Sequence, residues 1–255
     1  MRPFVYTSFG YLVMAASCLP VLFHNDTGWL LFWMVTLVYI SLLILGAIYI
    51  RWDFYVKSWH NGTRRDWVTL TFDDGPAAET AAILDTLKEQ DVKATFFSIG
   101  KNAARHPELV RRWHSEGHLI GNHSYDHGFH FDWQRAEVML AEMEKTNQTV
   151  EEIIGKKMKL FRPPYGVTNP NLAKAIRKSR MHSIGWNVRS FDTTAKEPER
   201  LLAHILNKVK GGDIILLHDS MPITRQILTE LIITLRSKGY SFVRLDKLLD
   251  IPPYE

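Results

Sequence analysis

The chain has a single cysteine, Cys18, in 255 residues. An internal disulfide framework is therefore excluded. It has no basic tract and no interleaving of basic with aromatic residues, and its net charge is only +4. That leaves no electrostatic footprint for nucleic acid. Internal repeats and low-complexity segments are also missing. Charge itself is missing from two long stretches near the N-terminus. Phe4–Phe23 and Trp29–Ile50 contain no Asp, Glu, Lys or Arg, and each is long enough to cross a hydrocarbon core of roughly 30 Å as a helix.

The simplest reading is a transmembrane hairpin over residues 1–60, with spans at about 4–23 and 29–50. His24 to Gly28 would be the polar link. Trp29, Trp33 and Trp52 fall near the ends of the second stretch, where indoles favour the interface. A signal peptide followed by a core helix is the alternative, but the first stretch is longer than a signal h-region of roughly 7–15 residues. Arg2 precedes the first stretch, and Arg51, Lys57, Arg64 and Arg65 follow the second. The positive-inside rule then puts both ends of the hairpin in the cytoplasm. The expectation is a protein integral to a bacterial cytoplasmic membrane, with its soluble domain on the cytoplasmic face. A periplasmic or extracellular domain follows instead if only the second stretch spans.

Residues 61–255 alternate apolar runs with helical patterns. Strands are expected at 68–72, 94–99, 119–121, 160–161, 182–187, 213–217 and 241–245. Helices are expected at 79–90, 107–116, 133–154, 171–178, 198–210 and 225–238, with Gly117, Gly155 and Gly239 at three of their ends. This alternation implies a mainly parallel sheet. The polar motifs all follow strands, five of them different. Side chains from so many strand ends meet most readily on the C-terminal face of a barrel. Seven strands in so short a segment predict an irregular (β/α) barrel.

Those motifs carry hydrolytic chemistry. Asp73-Asp74-Gly75-Pro76 sets two acids side by side, so one can bind a metal while the other faces the reacting water. His123 and His127 are four apart and would share a face on a helical turn, a frequent metal-binding arrangement. Two imidazoles and a carboxylate leave open positions on the ion. Non-haem iron oxygenases use the same set, but a second acid and the separate His218 suit hydrolysis better. Arg162-Pro-Pro-Tyr165 is stiff. It can hold Arg162 against a carboxylate and aim the Tyr165 N–H at an oxyanion. His218 ends the apolar run 214–217 on the same face and suits a general acid.

With these pieces in hand, the chain from about Trp67 to Leu249 resembles the polysaccharide deacetylase family, also called the NodB homology domain or carbohydrate esterase family 4. The likeness also covers residues 93–100, 116–124 and 154–157. It implies a distorted NodB-like barrel and an N-deacetylase acting on amino sugars of a poly-, oligo- or lipid-linked saccharide. It further implies that Asp74, His123 and His127 hold a divalent ion, usually zinc. Asp73 would be the general base, oriented by Arg162, and His218 would protonate the leaving amine. The Tyr165 N–H would stabilise the oxyanion, and Leu216 would line the acyl pocket. The implied partners are an acetylated (or formylated) amino sugar and membrane lipid.

One motif departs from the pattern. Where the family often has Asp-x-x-Asp-Trp, this chain has Arg189-Ser-Phe-Asp192-Thr193. The expectation is that the usual acid partner of the site is missing and that Arg189 contacts an anionic group on the substrate. A catalytically silent carbohydrate-binding or scaffold membrane protein is the competing class. It predicts a lost ligand or base, yet Asp73, Asp74, His123, His127 and His218 are all present.

Overall fold

The structure is a computed structural model that describes residues 2–22 and 26–255. The expected polar link at His24 and Asn25 lies outside the described residues, as does Phe23 at the end of the expected first span. Two helices open the chain, α1 (Arg2–Leu22) and α2 (Asp26–Ile48). They pack antiparallel. The Tyr11 and Tyr39 rings stack at 4.2 Å, and the Ser8 and Tyr39 hydroxyls lie 3.0 Å apart. Among the described residues one helix is long and apolar enough to cross a membrane, Thr27–Ile48.

The rest is a curled parallel sheet wrapped by helices. Its strands are β1 (Ser58–Trp59), β2 (Trp67–Asp73), β3 (Thr95–Ser98), β4 (Leu119–Asn122), β5 (Leu160–Phe161), β6 (His182–Ile184), β7 (Val188–Arg189), β8 (Ile214–His218) and β9 (Ser241–Phe242). The order is β1-β6-β5-β4-β3-β2-β8-β7, with β9 against the start of β2. Every one of these pairings is parallel.

Nine strands among the described residues replace the expected seven, for two reasons. β1 comes from residues just before the expected domain. The expected strand 182–187 also stops at Ile184, and a separate strand begins at Val188. The Gly185 N–H donates to Trp59 O at 2.7 Å, whereas the Asn187 N–H donates to Ile214 O at 3.1 Å. The chain thus leaves one end of the sheet and joins the other within three residues, a covalent link between two edges that share no strand pairing among the described residues. The expected strand at 241–245 shrinks because Leu245 begins a helix, α10 (Leu245–Leu249).

Period-2 alternation sorts the strand side chains into two cores. Leu70, Phe72, Phe96, Ile120, Phe161, Ile215 and Leu217 face outward to the helices. Phe97, Leu119, Leu160, Ile184 and Ile214 join Leu245, Leu248 and Leu249 of α10 in the second core. Both strand faces are buried, which is why these strands read as continuous apolar runs. Gly121 lies in the inner layer because a Cβ there would meet the Phe97 ring at 2.5 Å.

The outer helices are α3 (Thr80–Glu89), α4 (Gly100–Arg105), α5 (Pro107–Ser115), α6 (Ala136–Ile154), α7 (Pro170–Ser179), α8 (Pro198–Lys208) and α9 (Pro222–Ser237). Four of them begin on proline, whose fixed φ and missing N–H suit a first helical position. The short α4 escaped the sequence reading. In α6, Met139, Met143 and Val150 are buried as the periodicity implies, whereas Val138 is 47 % exposed.

The N-terminal pair is tied into this domain. Phe54, Tyr55 and Val56 are buried in the outer core, and Phe4 packs on Phe54 and Tyr55. The end of α2 is held by Thr168, whose N–H donates to Ala47 O at 2.9 Å. That bond satisfies one carbonyl left open by the helix terminus.

Candidate active site

Parallel strands deliver their C-terminal ends to one rim, and the five sequence motifs meet there. Asp73 ends β2, His123 follows β4, Arg162 follows β5, Arg189 ends β7 and His218 ends β8. All but the buried Arg162 border a pocket of about 200 Å³ that also includes Asp74, His127, Tyr165 and Leu216.

Arg162 enters the ring above the inner apolar core and is fully buried. Its guanidinium stands 4.1 Å from the Phe97 ring centroid. Nη1 donates to Asp73 Oδ1 at 2.7 Å and to Thr71 Oγ1 at 2.8 Å, and Nη2 donates to Gly185 O at 3.0 Å. Burial dominates both partners. It raises the Asp73 carboxyl above the ordinary value even against the pull of Arg162, and it lowers Arg162 even beside Asp73. Asp73 is therefore a carboxylate held in place and kept basic.

Asp74 turns the other way because its φ is +75°. The turn is fixed by Asn102, which donates to Asp74 O at 2.8 Å. It also requires glycine at position 75. A Cβ there would fall 2.2 Å from the Asp219 carboxylate, which accepts from Thr80 Oγ1 at 2.5 Å.

His123 and His127 do not lie on a helical turn, contrary to the expectation. They lie on a loop in which Ser124 and His127 have φ of +63° and +51°. Side chains rather than a helical ladder shape this loop. Asn122 Oδ1 accepts from the Ser124 N–H at 3.0 Å, and Ser124 Oγ accepts from the His127 N–H at 3.1 Å. Glu142 on α6 accepts from the N–H groups of Tyr125 and Asp126. The Tyr165 ring packs 4.7 Å from His127, and Tyr165 itself has a left-handed φ of +57°.

His123 Nδ1 lies 2.8 Å from Arg162 O. A carbonyl only accepts, so Nδ1 carries the proton and Nε2 presents a lone pair. Burial, with His127 nearby, pushes the His123 pKa down to about 3, which keeps the ring neutral. Both imidazole Nε2 atoms lie 3.6 Å from Asp74 Oδ1. That separation is too long for a hydrogen bond. Asp74 Oδ1 is nevertheless buried without a hydrogen-bond partner. The three ligand atoms lie within 4.8 Å of one another. The two imidazoles and the carboxylate at this spacing fit a divalent ion with bonds of about 2.0–2.2 Å. Such an ion would satisfy the orphaned oxygen.

The expected loss of an acid partner is overturned. Asp192 supplies it. Its Oδ1 accepts from His218 Nδ1 at 2.7 Å, and its Oδ2 accepts from the His218 N–H at 2.7 Å and from Thr224 Oγ1 at 2.6 Å. Phe191 takes a φ of +64°, leaving its own ring 45 % exposed while Asp192 is fully buried. The pairing crosses 26 residues, so no local pattern reveals it; the one signal was an Asp just beyond a strand next to β8. Burial lowers the His218 pKa, but the Asp192 hydrogen bond and the surrounding carboxylates outweigh it and raise the value to about 9. Leu216 is buried beneath the pocket, and Arg189 is exposed at its rim.

Two outcomes follow from this geometry. Arg162→Met leaves Asp73 buried and unpaired, and it should destabilise the domain by about 3–5 kcal/mol in urea unfolding. The second concerns His218, whose folded pKa of about 9 lies above the ordinary 6.5. The stabilisation is complete below the unfolded value and is lost as pH rises through the folded one. In chelator-treated protein the urea midpoint should fall between those pH values, and it should fall less in Asp192→Asn.

The sequence profile described as polysaccharide deacetylase matches residues 60–184. A peptidoglycan-N-acetylglucosamine deacetylase of Bacillus cereus is 36% identical over 193 residues, covering 71% of this chain and 70% of the relative. A peptidoglycan-N-acetylglucosamine deacetylase of Listeria monocytogenes is 36% identical over 182 residues, and the chain spans only 38% of its length. The solved structure of the chitin deacetylase from Colletotrichum lindemuthianum is similar with a TM-score of 0.73 and 29% identity, covering 78% of this chain and 95% of that one.

Proposed function

The chain belongs to the polysaccharide deacetylase family of hydrolases, and on that premise we propose that it removes N-acetyl (or related acyl) groups from amino sugars in a metal-dependent reaction. The observation that carries this reading is the orphaned Asp74 oxygen facing two imidazole nitrogens, in one pocket with Asp73 and His218. Asp74, His123 and His127 would hold the ion, and zinc is the best match to this ligand set. Such an ion acidifies water and polarises a carbonyl.

The side chains supply the proton transfers. Asp73, held by Arg162, takes a proton from the attacking water as its oxygen bonds to the amide carbon. The carbon–nitrogen bond then breaks. His218, protonated and oriented by Asp192, gives its Nε2 proton to the departing amine. Acetate and a free amino sugar result. Tyr165 stands over His127 at the pocket wall, where its N–H would steady the oxyanion, and Leu216 would floor the acyl group. Of the relatives named above, two are peptidoglycan deacetylases and one is a chitin deacetylase; for this chain the substrate is an acylated amino sugar of a poly-, oligo- or lipid-linked saccharide.

The membrane side follows from charge. No Lys or Arg occurs from residue 3 to residue 50, whereas Arg2, at the start of α1, and Arg51 and Lys57, after α2, lie at the same end of the paired helices. With both helices spanning, the domain faces the cytoplasm. Alkaline phosphatase fused after Glu255 should be inactive in cells. A strongly active fusion would show that only α2 spans and that the domain is outside.

The chemistry is tested by acetate release from N-acetylated chitooligosaccharides and peptidoglycan fragments, with chelator and with zinc restored. Release should require the metal and should fall by about 10³-fold or more in Asp73→Asn. That substitution leaves the Arg162 charge unpaired, so circular dichroism and metal content must confirm that the protein is folded. Undiminished release by the folded variant would remove Asp73 from the base role.

A further inference from the structure

We infer that a second pocket, at the membrane end of the catalytic pocket, binds the phosphate of a lipid-borne amino-sugar substrate. This inference rests on the deacetylase reading and names its substrate class. The pocket measures about 240 Å³ and has three cations in its wall, Arg51, Arg189 and Lys208, with no carboxylate among its lining residues. Trp186 and Arg189 line both this pocket and the catalytic one. A ligand seated against Asp74, His123 and His127 therefore meets the cations across those two side chains.

All three cations are exposed, and none makes an ion pair within 4 Å among the described residues. Arg51 does interact electrostatically with Asp213. Asp213 is buried and already accepts from the Lys210 N–H at 2.8 Å. Like charges around one small pocket repel each other until an anion joins them. Two guanidiniums and an ammonium form the donor set that recognises phosphate oxygens. Arg189 also stands where the resembling family often has an acid, so the charge of this rim is reversed.

The pocket's place in the fold identifies the carrier. Its other wall is the end of α2, Ile48 to Ile50, where the membrane-crossing helix stops. Tyr49 and Trp52 stack there at 5.2 Å, and both are about half exposed. Such aromatic rings settle at the headgroup level. The same helix end is bonded to Thr168, three residues beyond Tyr165. The catalytic rim is thus fixed at the bilayer surface. A lipid chain beside α2 would place its phosphate among the cations and its sugar amide over the metal-binding group. A neutral polymer has nothing to offer three unpaired cations.

The test uses full-length protein in phosphatidylcholine nanodiscs. The substrates are N-acetylglucosaminyl diphosphate on a polyisoprenoid lipid and a neutral N-acetylglucosamine tetramer. Lys208→Glu and Arg51→Gln should each lower kcat/KM for the diphosphate lipid by about tenfold, mainly through KM, and leave the tetramer within about twofold. Equal losses on both substrates, or no loss on either, would overturn the assignment. Phosphatidylglycerol added to the nanodiscs separates the two phosphate sources. If it competes with the diphosphate lipid as strongly as that lipid binds, the pocket holds membrane headgroups and the assignment fails. If the wild-type protein turns over neither substrate, the deacetylase reading fails instead. The pocket is then read by equilibrium binding of the diphosphate lipid. Binding weakened about tenfold by Lys208→Glu supports the phosphate site, and unchanged binding refutes it.

Discussion

The buried pair between Arg162 and Asp73 organises everything above the inner core. A guanidinium without access to water is costly unless its donors are used. Here they reach Asp73 and Thr71 on β2 and the backbone at Gly185, where the chain crosses from one end of the sheet to the other. The Arg162 carbonyl also fixes the tautomer of His123. One residue therefore cross-links three strands, holds the basic carboxylate and orients an imidazole. A lysine could not replace it, because a point charge cannot serve those directions together.

The ring is layered along its axis. α10 and the inner side chains close one end with an apolar plug. Phe97 supports the Arg162 guanidinium, and the polar groups lie above it at the rim. The order has a physical cause. Carboxylates and imidazoles at the strand ends have loop backbone beside them, and some of them also reach solvent. Asp74 and His218 keep that access, whereas Asp73 relies on its partner. The end of α2 joins the same rim through Thr168, so catalysis and membrane attachment share one surface.

Much of this was legible in the chain. The positions of β2, β3, β4, β5 and β8 follow from short apolar runs bounded by turn residues. Ile83, Leu84 and Leu87, spaced for one helical face, form the buried face of α3 together with Thr80. Asp73, Asp74, His123, His127, Arg162 and His218 belong to motifs expected to follow strands, and the parallel sheet brings them together. The misreadings share a cause. His123 and His127 suit a helical turn by spacing, but Asn122, Ser124 and Glu142 impose a loop through hydrogen bonds that spacing does not encode. The expected strand at 182–187 stops at Ile184 because the chain there changes neighbours, from β5 to β8, where pairing resumes at Val188.

The sequence by itself determined the apolar N-terminus, the alternation of strands with helices and the set of chemical groups at the strand ends. These are local properties, set by hydrophobic periodicity, by turn residues and by side-chain type. Only the tertiary structure decided which group partners which. Asp192 serves His218 across 26 residues, Arg162 serves Asp73 across 89, and Arg51 joins Arg189 and Lys208 at one pocket. Such pairings depend on how the sheet curls and where it closes, and that is settled by packing over the whole chain rather than by any segment of it.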